Sequence, residues 1–202
     1  MKRTKAHAFV VHNFNFMKTQ DKTYSIRWYG PFETKEQIGE YEKNHAEIHF
    51  QLYMFHGMKK RAKIYESYYC GQAKNSVFRR LSDKNHHINE INRMTAIWIG
   101  TISNVSPSAQ DINYVENIIT AQLAKVFGKD QLLNAINKKF PNYNIYVINI
   151  WHKVNGDRYR KYVSYSLPAE LPDLLGHEYD IDPFPLHKIY SAEKVKWTDV
   201  DW

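Results

Sequence analysis

Two stretches near the N-terminus, residues 8–14 and 23–28, concentrate β-forming side chains at Val10, Val11, Phe14, Tyr24, Ile26 and Trp28. The polar residues 18–22 between them read as a turn, so the pattern predicts an N-terminal hairpin. Tyr29-Gly30-Pro31 breaks it, and Thr34 followed by Gln37, Ile38 and Tyr41 predicts a capped helix to about Ala46. Residues 48–55 are again strand-like, His56-Gly57 reads as a turn, and residues 63–70 predict a returning strand. Asn75 or Ser76 can cap a helix through Leu81, with Val77, Phe78 and Leu81 as its apolar side. The polar run 82–93 reads as a loop, and residues 95–102, with Ile97, Trp98 and Ile99, as a central strand. The strongest helical signal is residues 109–127, where Ile112, Val115, Ile119, Leu123 and Val126 recur at helical spacing until Gly128. A shorter helix over 131–139 and a strand over 145–151 follow, and little can be assigned after Gly156.

The middle of the chain therefore alternates strands and helices as a small α/β sandwich. Three segments are expected: an N-terminal embellishment over 1–47, a core over 48–150 and a C-terminal extension over 151–202 packed on it. A length of 202 residues suits one domain with decorations.

Composition narrows the function classes. With 43% hydrophobic residues and no apolar run near the length needed to span a bilayer, a cytoplasmic protein without a membrane partner is expected. The basic start of the chain lacks the apolar segment and cleavage site of a signal peptide. Cys70 is the sole cysteine, which excludes an intrachain disulfide framework and a cysteine-based zinc site. His86-His87, His152, His177 and His187 form no ligand pair at helical spacing. The net charge of +7 favours a polyanionic partner. Its distribution is more informative: Lys59, Lys60, Arg61, Lys63, Lys74, Arg79 and Arg80 crowd one segment, whereas Glu170, Asp173, Glu178, Asp180 and Asp182 mark an acidic drift towards the end.

That basic segment contains Tyr69-Cys70-Gly71-Gln72-Ala73-Lys74-Asn75, followed by Arg79-Arg80-Leu81. It resembles the second half of the signature of the GIY-YIG nuclease superfamily, in which the arginine eight residues after the glycine corresponds to Arg79. For the first half the best match is Gln51-Leu52-Tyr53, with Gln51 in place of the glycine; Lys63-Ile64-Tyr65 is too close to Tyr69 to form a hairpin with it. The family glutamate on a later helix matches Glu116, which shares the inward face of Ile112, Ile119 and Leu123, where a lone carboxylate needs a cation or donor. Asn134 and Asn144 compete for the family asparagine. Where many members carry a histidine or tyrosine four residues after the arginine, this chain has Asp83; His86 or His87 can substitute if the helix ends early and the loop folds back.

The resemblance implies an α/β (α+β) fold with a small three-stranded mixed or antiparallel sheet flanked by helices. It also implies an endonuclease that hydrolyses DNA phosphodiester bonds with Mg²⁺ or Mn²⁺. Phosphodiester attack requires a deprotonated oxygen nucleophile, neutralisation of the phosphorane and stabilisation of the leaving oxygen. Tyr53 is cast as general base or relay, Tyr69 as its partner positioning water or phosphate, Arg79 as charge stabiliser and Glu116 as the sole protein metal ligand. Lys59, Lys60, Arg61, Lys63, Lys74 and Arg80 form the expected nucleic-acid surface. A restriction-type or mobile-element enzyme, RNA as an alternative substrate, a homodimer, and a noncatalytic nucleic-acid-binding module on the same scaffold all follow as readings to test.

Overall fold

Seven of the eleven residues of the strand Lys22–Phe32 (β1) are buried, on both of its faces, including Tyr24, Ser25, Ile26 and Trp28. Such a strand needs cover on both faces and a neighbour on each edge. In the computed structural model, which describes residues 21–60, 62, 65–134, 140–159, 171–177 and 189–190, β1 has both. It pairs antiparallel with Ile91–Ile102 (β4) and parallel with Ile145–His152 (β5), in register Trp28↔Gly100 and Trp28↔Trp151. Beyond β4 lie Leu52–Lys59 (β2) and then Glu66–Gln72 (β3), both antiparallel. Beyond β5 lie Leu174–His177 (β6) and the two-residue Ile189–Tyr190 (β7). The sheet order is β3-β2-β4-β1-β5-β6-β7.

This overturns the expected small three-stranded sheet, although the fold remains mixed α/β. The contiguous antiparallel trio β3-β2-β4 is only one side of a mixed sheet with six strands of four or more residues and the short β7. The hairpin reading paired residues 23–28 with a strand over 8–14, which lies outside the described residues. The partners of β1 instead lie some 70 and 120 positions away, and such pairing leaves no local trace. Three smaller expectations also change. His56-Gly57 is not a turn but part of β2, because a glycine lets the β4 backbone at Arg93 approach where a Cβ would collide. Residues 82–93 hold a short 3₁₀ turn, His87–Glu90, before β4 begins at Ile91. The helix expected over 131–139 starts instead with a 3₁₀ turn at Lys129–Gln131 and a bridge from Leu132 to Tyr68; residues 135–139 are not described.

Helices cover both faces. Lys35–Asn44 (α1) begins at a capping box made by Thr34 and Gln37. Val77–Leu81 (α2) is capped by Ser76, and the Glu42 carboxylate of α1 accepts from Ser76 Oγ at 2.6 Å and from the Val77 N–H at 2.7 Å, tying the two helices together. Ala109–Phe127 (α3) starts with a Ser108–Asp111 capping box and stops at Gly128, whose φ of 88° suits glycine. Alternation along the strands sorts the core. Leu52, Met54, Cys70, Trp28 and Trp98 pack against Val115, Ile118, Ile119 and Leu123 of α3. Tyr53, Phe55, Tyr69, Ile97 and Ile99 face α1 and α2 through Ile38, Val77 and Leu81. Each fully buried large side chain contributes about 1.5–3 kcal/mol. Among the described residues, no helix is long and apolar enough to cross a membrane.

Candidate active site

Tyr53 faces Gly71 across the β2–β3 pair, and Phe55 faces Tyr69. The glycine is what allows the tyrosines to meet: a Cβ at Gly71 would stand 2.5 Å from Tyr53 Oη and 2.6 Å from Tyr69 Cε1. With that space left open, the Tyr53 and Tyr69 rings stack at 5.9 Å and Tyr69 stacks on Phe55 at 5.0 Å. Tyr53 is wholly buried and Tyr69 is 8% exposed.

α2 ends at Leu81 and the following loop folds back over these rings. His86, itself buried, lies with Nε2 2.7 Å from Tyr53 Oη. Its Nδ1 accepts the Ile88 backbone N–H at 3.1 Å, so the neutral ring carries its proton on Nε2 and donates it to Tyr53 Oη. Burial raises both phenols; the positive charge of Arg80 acts against that rise in each, whereas in Tyr53 the neighbouring Tyr69 adds to it. Tyr69 is the more exposed ring of a stack in which His86 holds Tyr53 and Tyr53 lies against Tyr69, an arrangement compatible with the buried Tyr53 as a relay and Tyr69 as the group that meets a substrate. His87 points elsewhere, with Nδ1 2.6 Å from Glu90 Oε1 and its ring 5.4 Å from that of Tyr69.

Burial, and then the positive charges of Arg80 and His87, lower the His86 pKa to about 4. The folded value lies below the unfolded one near 6.5, so the stability this ring provides is complete above pH 6.5 and is lost as pH falls through 4. Urea unfolding of wild type should therefore weaken between pH 6.5 and 4 by an amount on the order of 3 kcal/mol. In His86→Phe that component should vanish; an unchanged pH slope would refute the buried neutral imidazole.

Arg80, not Arg79, is the arginine beside the tyrosines. Its guanidinium acts electrostatically on Tyr53, Tyr69 and Glu116, with Asp83 3.6 Å from Nη1. Consecutive residues on a helix diverge by about 100°, and Arg79 turns to a groove between α1 and α2. Glu116 comes from α3, on the other side of the sheet, and reaches the site around the edge strand β3. Its Oε2 accepts from Gln72 Nε2 at 2.8 Å, while burial pushes its pKa up to about 7, against Gln72 and Arg80, which pull it down. A partly buried carboxylate with a single side-chain donor fits one hard cation completed by water, and Glu116 is the residue that would hold it. Among the described residues no group of three or more His, Cys, Asp or Glu comes together.

The two asparagines separate. Asn134 pins the edge strand at the centre of the motif, its Oδ1 accepting the Cys70 N–H at 2.9 Å and its Nδ2 donating to the Cys70 carbonyl at 2.6 Å. Asn144 lies at the start of β5 and donates to Asp21 at 2.9 Å, away from the tyrosines. Lys60 and Lys74 are exposed, and Lys59 pairs with Glu90 at 3.3 Å; Arg61 and Lys63 lie outside the described residues. Sequence reasoning missed Gln72 and Arg80 as parts of the cluster. Gln72 was signalled by its position one residue past the motif glycine, pointing to the α3 side; for Arg80 over Arg79 there was no signal without the helix register. No protein-family model matches the chain, and comparisons with curated proteins and with solved structures return no match.

Proposed function

We propose that this protein is a divalent-metal-dependent endonuclease acting on DNA, with Tyr69, Tyr53, His86, Arg80 and Glu116 as its working residues. The observation that carries the reading is a stacked tyrosine pair held by His86, on which the charge of Arg80 acts, with the Glu116 carboxylate bonded to Gln72 at the end of the neighbouring edge strand. Tyr69 orients the attacking water through its phenolic oxygen, with Tyr53 and His86 holding the ring in place; the proton the water loses passes to solvent as the new P–O bond forms and the leaving oxygen departs. Arg80 offers a planar fork to the non-bridging oxygens of the phosphate and disperses the charge that builds there. A bound Mg²⁺ or Mn²⁺ supplies Lewis-acid stabilisation of the leaving oxygen. The exposed Lys60 and Lys74 suit the approach of a phosphate backbone.

The two arginines provide the test. Arg80→Ala should lower plasmid cleavage at saturating DNA about 10²–10³-fold, the usual cost of losing one charge-stabilising donor, whereas Arg79→Ala should act on DNA affinity and leave the rate at saturating DNA within a few fold. Equal, large losses in both variants would remove the assignment of Arg80. The complete burial of Tyr53 favours a second reading, a noncatalytic nucleic-acid-binding module in which the tyrosines are core. It predicts salt-dependent DNA binding with no cleavage by any form of the protein.

A further inference from the structure

The residue that the motif singles out, Arg79, is free of the tyrosine cluster and lines a groove of about 530 Å³ between α1 and α2. The floor of this groove is apolar, formed by Ile48, Phe50 and Phe78, and Lys43 and Arg79 supply its cations. Neither cation has an ion pair among the described residues. Glu42 also borders the groove, but its carboxylate is engaged by Ser76 Oγ at 2.6 Å, the Val77 N–H at 2.7 Å and the Phe78 N–H at 3.3 Å. Those contacts occupy both oxygens and direct the charge into the α2 terminus. A second groove on the far flank of α1 makes the contrast. It is smaller, about 370 Å³, is bordered by Glu33 and Glu40, and has no lysine or arginine in its lining.

We infer that the α1–α2 groove holds a single nucleotide of the substrate strand, its base against Phe78 and Ile48 and its phosphate on Arg79 and Lys43. The inference rests on the nucleic-acid reading above and adds a subsite to it. Three features point to that ligand. The volume falls in the range of small-ligand pockets, with room for one nucleotide and not for a duplex. Apolar side chains, Phe78 among them, beside two cations match a base joined to a phosphate, because an aromatic ring accepts any base face while arginine takes phosphate oxygens in its fork. The groove also adjoins the cluster through the chain itself, since Arg79 and Arg80 are consecutive and address the groove and the tyrosines respectively. Gly39 keeps the pocket open: a Cβ there would press on the Phe78 ring at 3.1 Å.

The test is a titration of the full chain with thymidine 5′-monophosphate, followed by amide NMR shifts, with thymidine and inorganic phosphate as separate probes. The monophosphate should shift the amides of Ile48, Asn75 and Phe78 and bind at least ten times more tightly than either fragment. Arg79→Ala should weaken it at least five-fold. Ala46→Phe, at an exposed position on the groove wall, should weaken it similarly by filling the space without removing a charge. The inference is overturned if the shifts cluster around Tyr69 and Glu116 instead, if phosphate alone binds as tightly, or if both variants bind like wild type. Because this readout needs no cleavage, nucleotide binding in the groove by a protein that leaves plasmid intact would uphold the subsite and sink the nuclease reading. Cleavage without groove binding would do the reverse.

Discussion

Glu116→Gln should lower DNA cleavage by about 10²–10³-fold or more while making the metal-free protein more stable at pH 8. The first effect follows from the proposed role of Glu116 as the residue that would hold the cation. The second follows from linkage. Burial raises the folded pKa of Glu116 from 4.5 to about 7, so its favourable contribution to stability is fully present below pH 4.5 and is lost as pH rises through 7. At pH 8 the wild type carries a partly buried charge that the glutamine does not. Discounted for solvent screening, the gain is about 1 kcal/mol, or roughly 2–4 °C in Tm for a chain of this size. Thermal unfolding at pH 4 and pH 8 checks this: the two proteins should unfold together at the lower pH and diverge at the higher. Added Mg²⁺ should raise the Tm of wild type at pH 8 and leave Glu116→Gln unmoved. If the variant is instead destabilised at both pH values, Glu116 is a structural partner of Gln72 and not a cation ligand.

The second large effect is expected at a residue with no chemistry of its own. Gly71→Ala would place a methyl group within 2.5 Å of Tyr53 Oη, where the surrounding rings of Phe55, Tyr69 and His86 leave little room to yield. Overpacking of this kind costs about 1–3 kcal/mol. The larger consequence is displacement of the relay, since shifting a catalytic group by about 1 Å costs on the order of 10²-fold in rate. Urea unfolding and plasmid cleavage measured together separate the two, because a folded Gly71→Ala at saturating Mg²⁺ should still cut far more slowly than wild type. Cleavage at the wild-type rate would mean that the spacing of the two tyrosines is irrelevant to function.

What the sequence revealed depended on how local the cause was. Ser108 and Gly128 bracket α3, and its bounds were readable to the residue because cap and stop are neighbours in sequence. The cap at Thr34 was likewise readable, although α1 ends at Asn44 and not near Ala46, and of the two caps open for α2 it is Ser76 that accepts the backbone N–H. The sheet was misjudged at β1, whose partners β4 and β5 are distant in sequence and whose parallel pairing needs the crossover through α3. Tyr53, Tyr69 and Glu116 were singled out from motif and helical face; in the fold the two tyrosines stack on neighbouring strands and Glu116 bonds to Gln72 at the end of β3. Motif spacing selected Arg79, whereas it is Arg80 whose charge acts on the tyrosines, because on a helix of five residues the register is decided by packing of Val77 and Leu81 and not by a long apolar stripe. His86 was one of two candidates until the loop path was known; its neighbour His87 is turned to Glu90. Asn134 and Asn144 were likewise equivalent on paper, and only the hydrogen bonds to Cys70 distinguish them.

The central claim is that the cluster at the edge of β3 cuts a phosphodiester backbone, and the most direct measurement is conversion of supercoiled plasmid by the purified full chain. Wild type should nick or linearise the plasmid in Mg²⁺ or Mn²⁺ and stop when the metal is chelated, and Glu116→Gln should leave it supercoiled. Plasmid that stays intact with wild type in both metals, at a salt concentration where the protein binds DNA, would contradict the account, as would Glu116→Gln cutting at the wild-type rate.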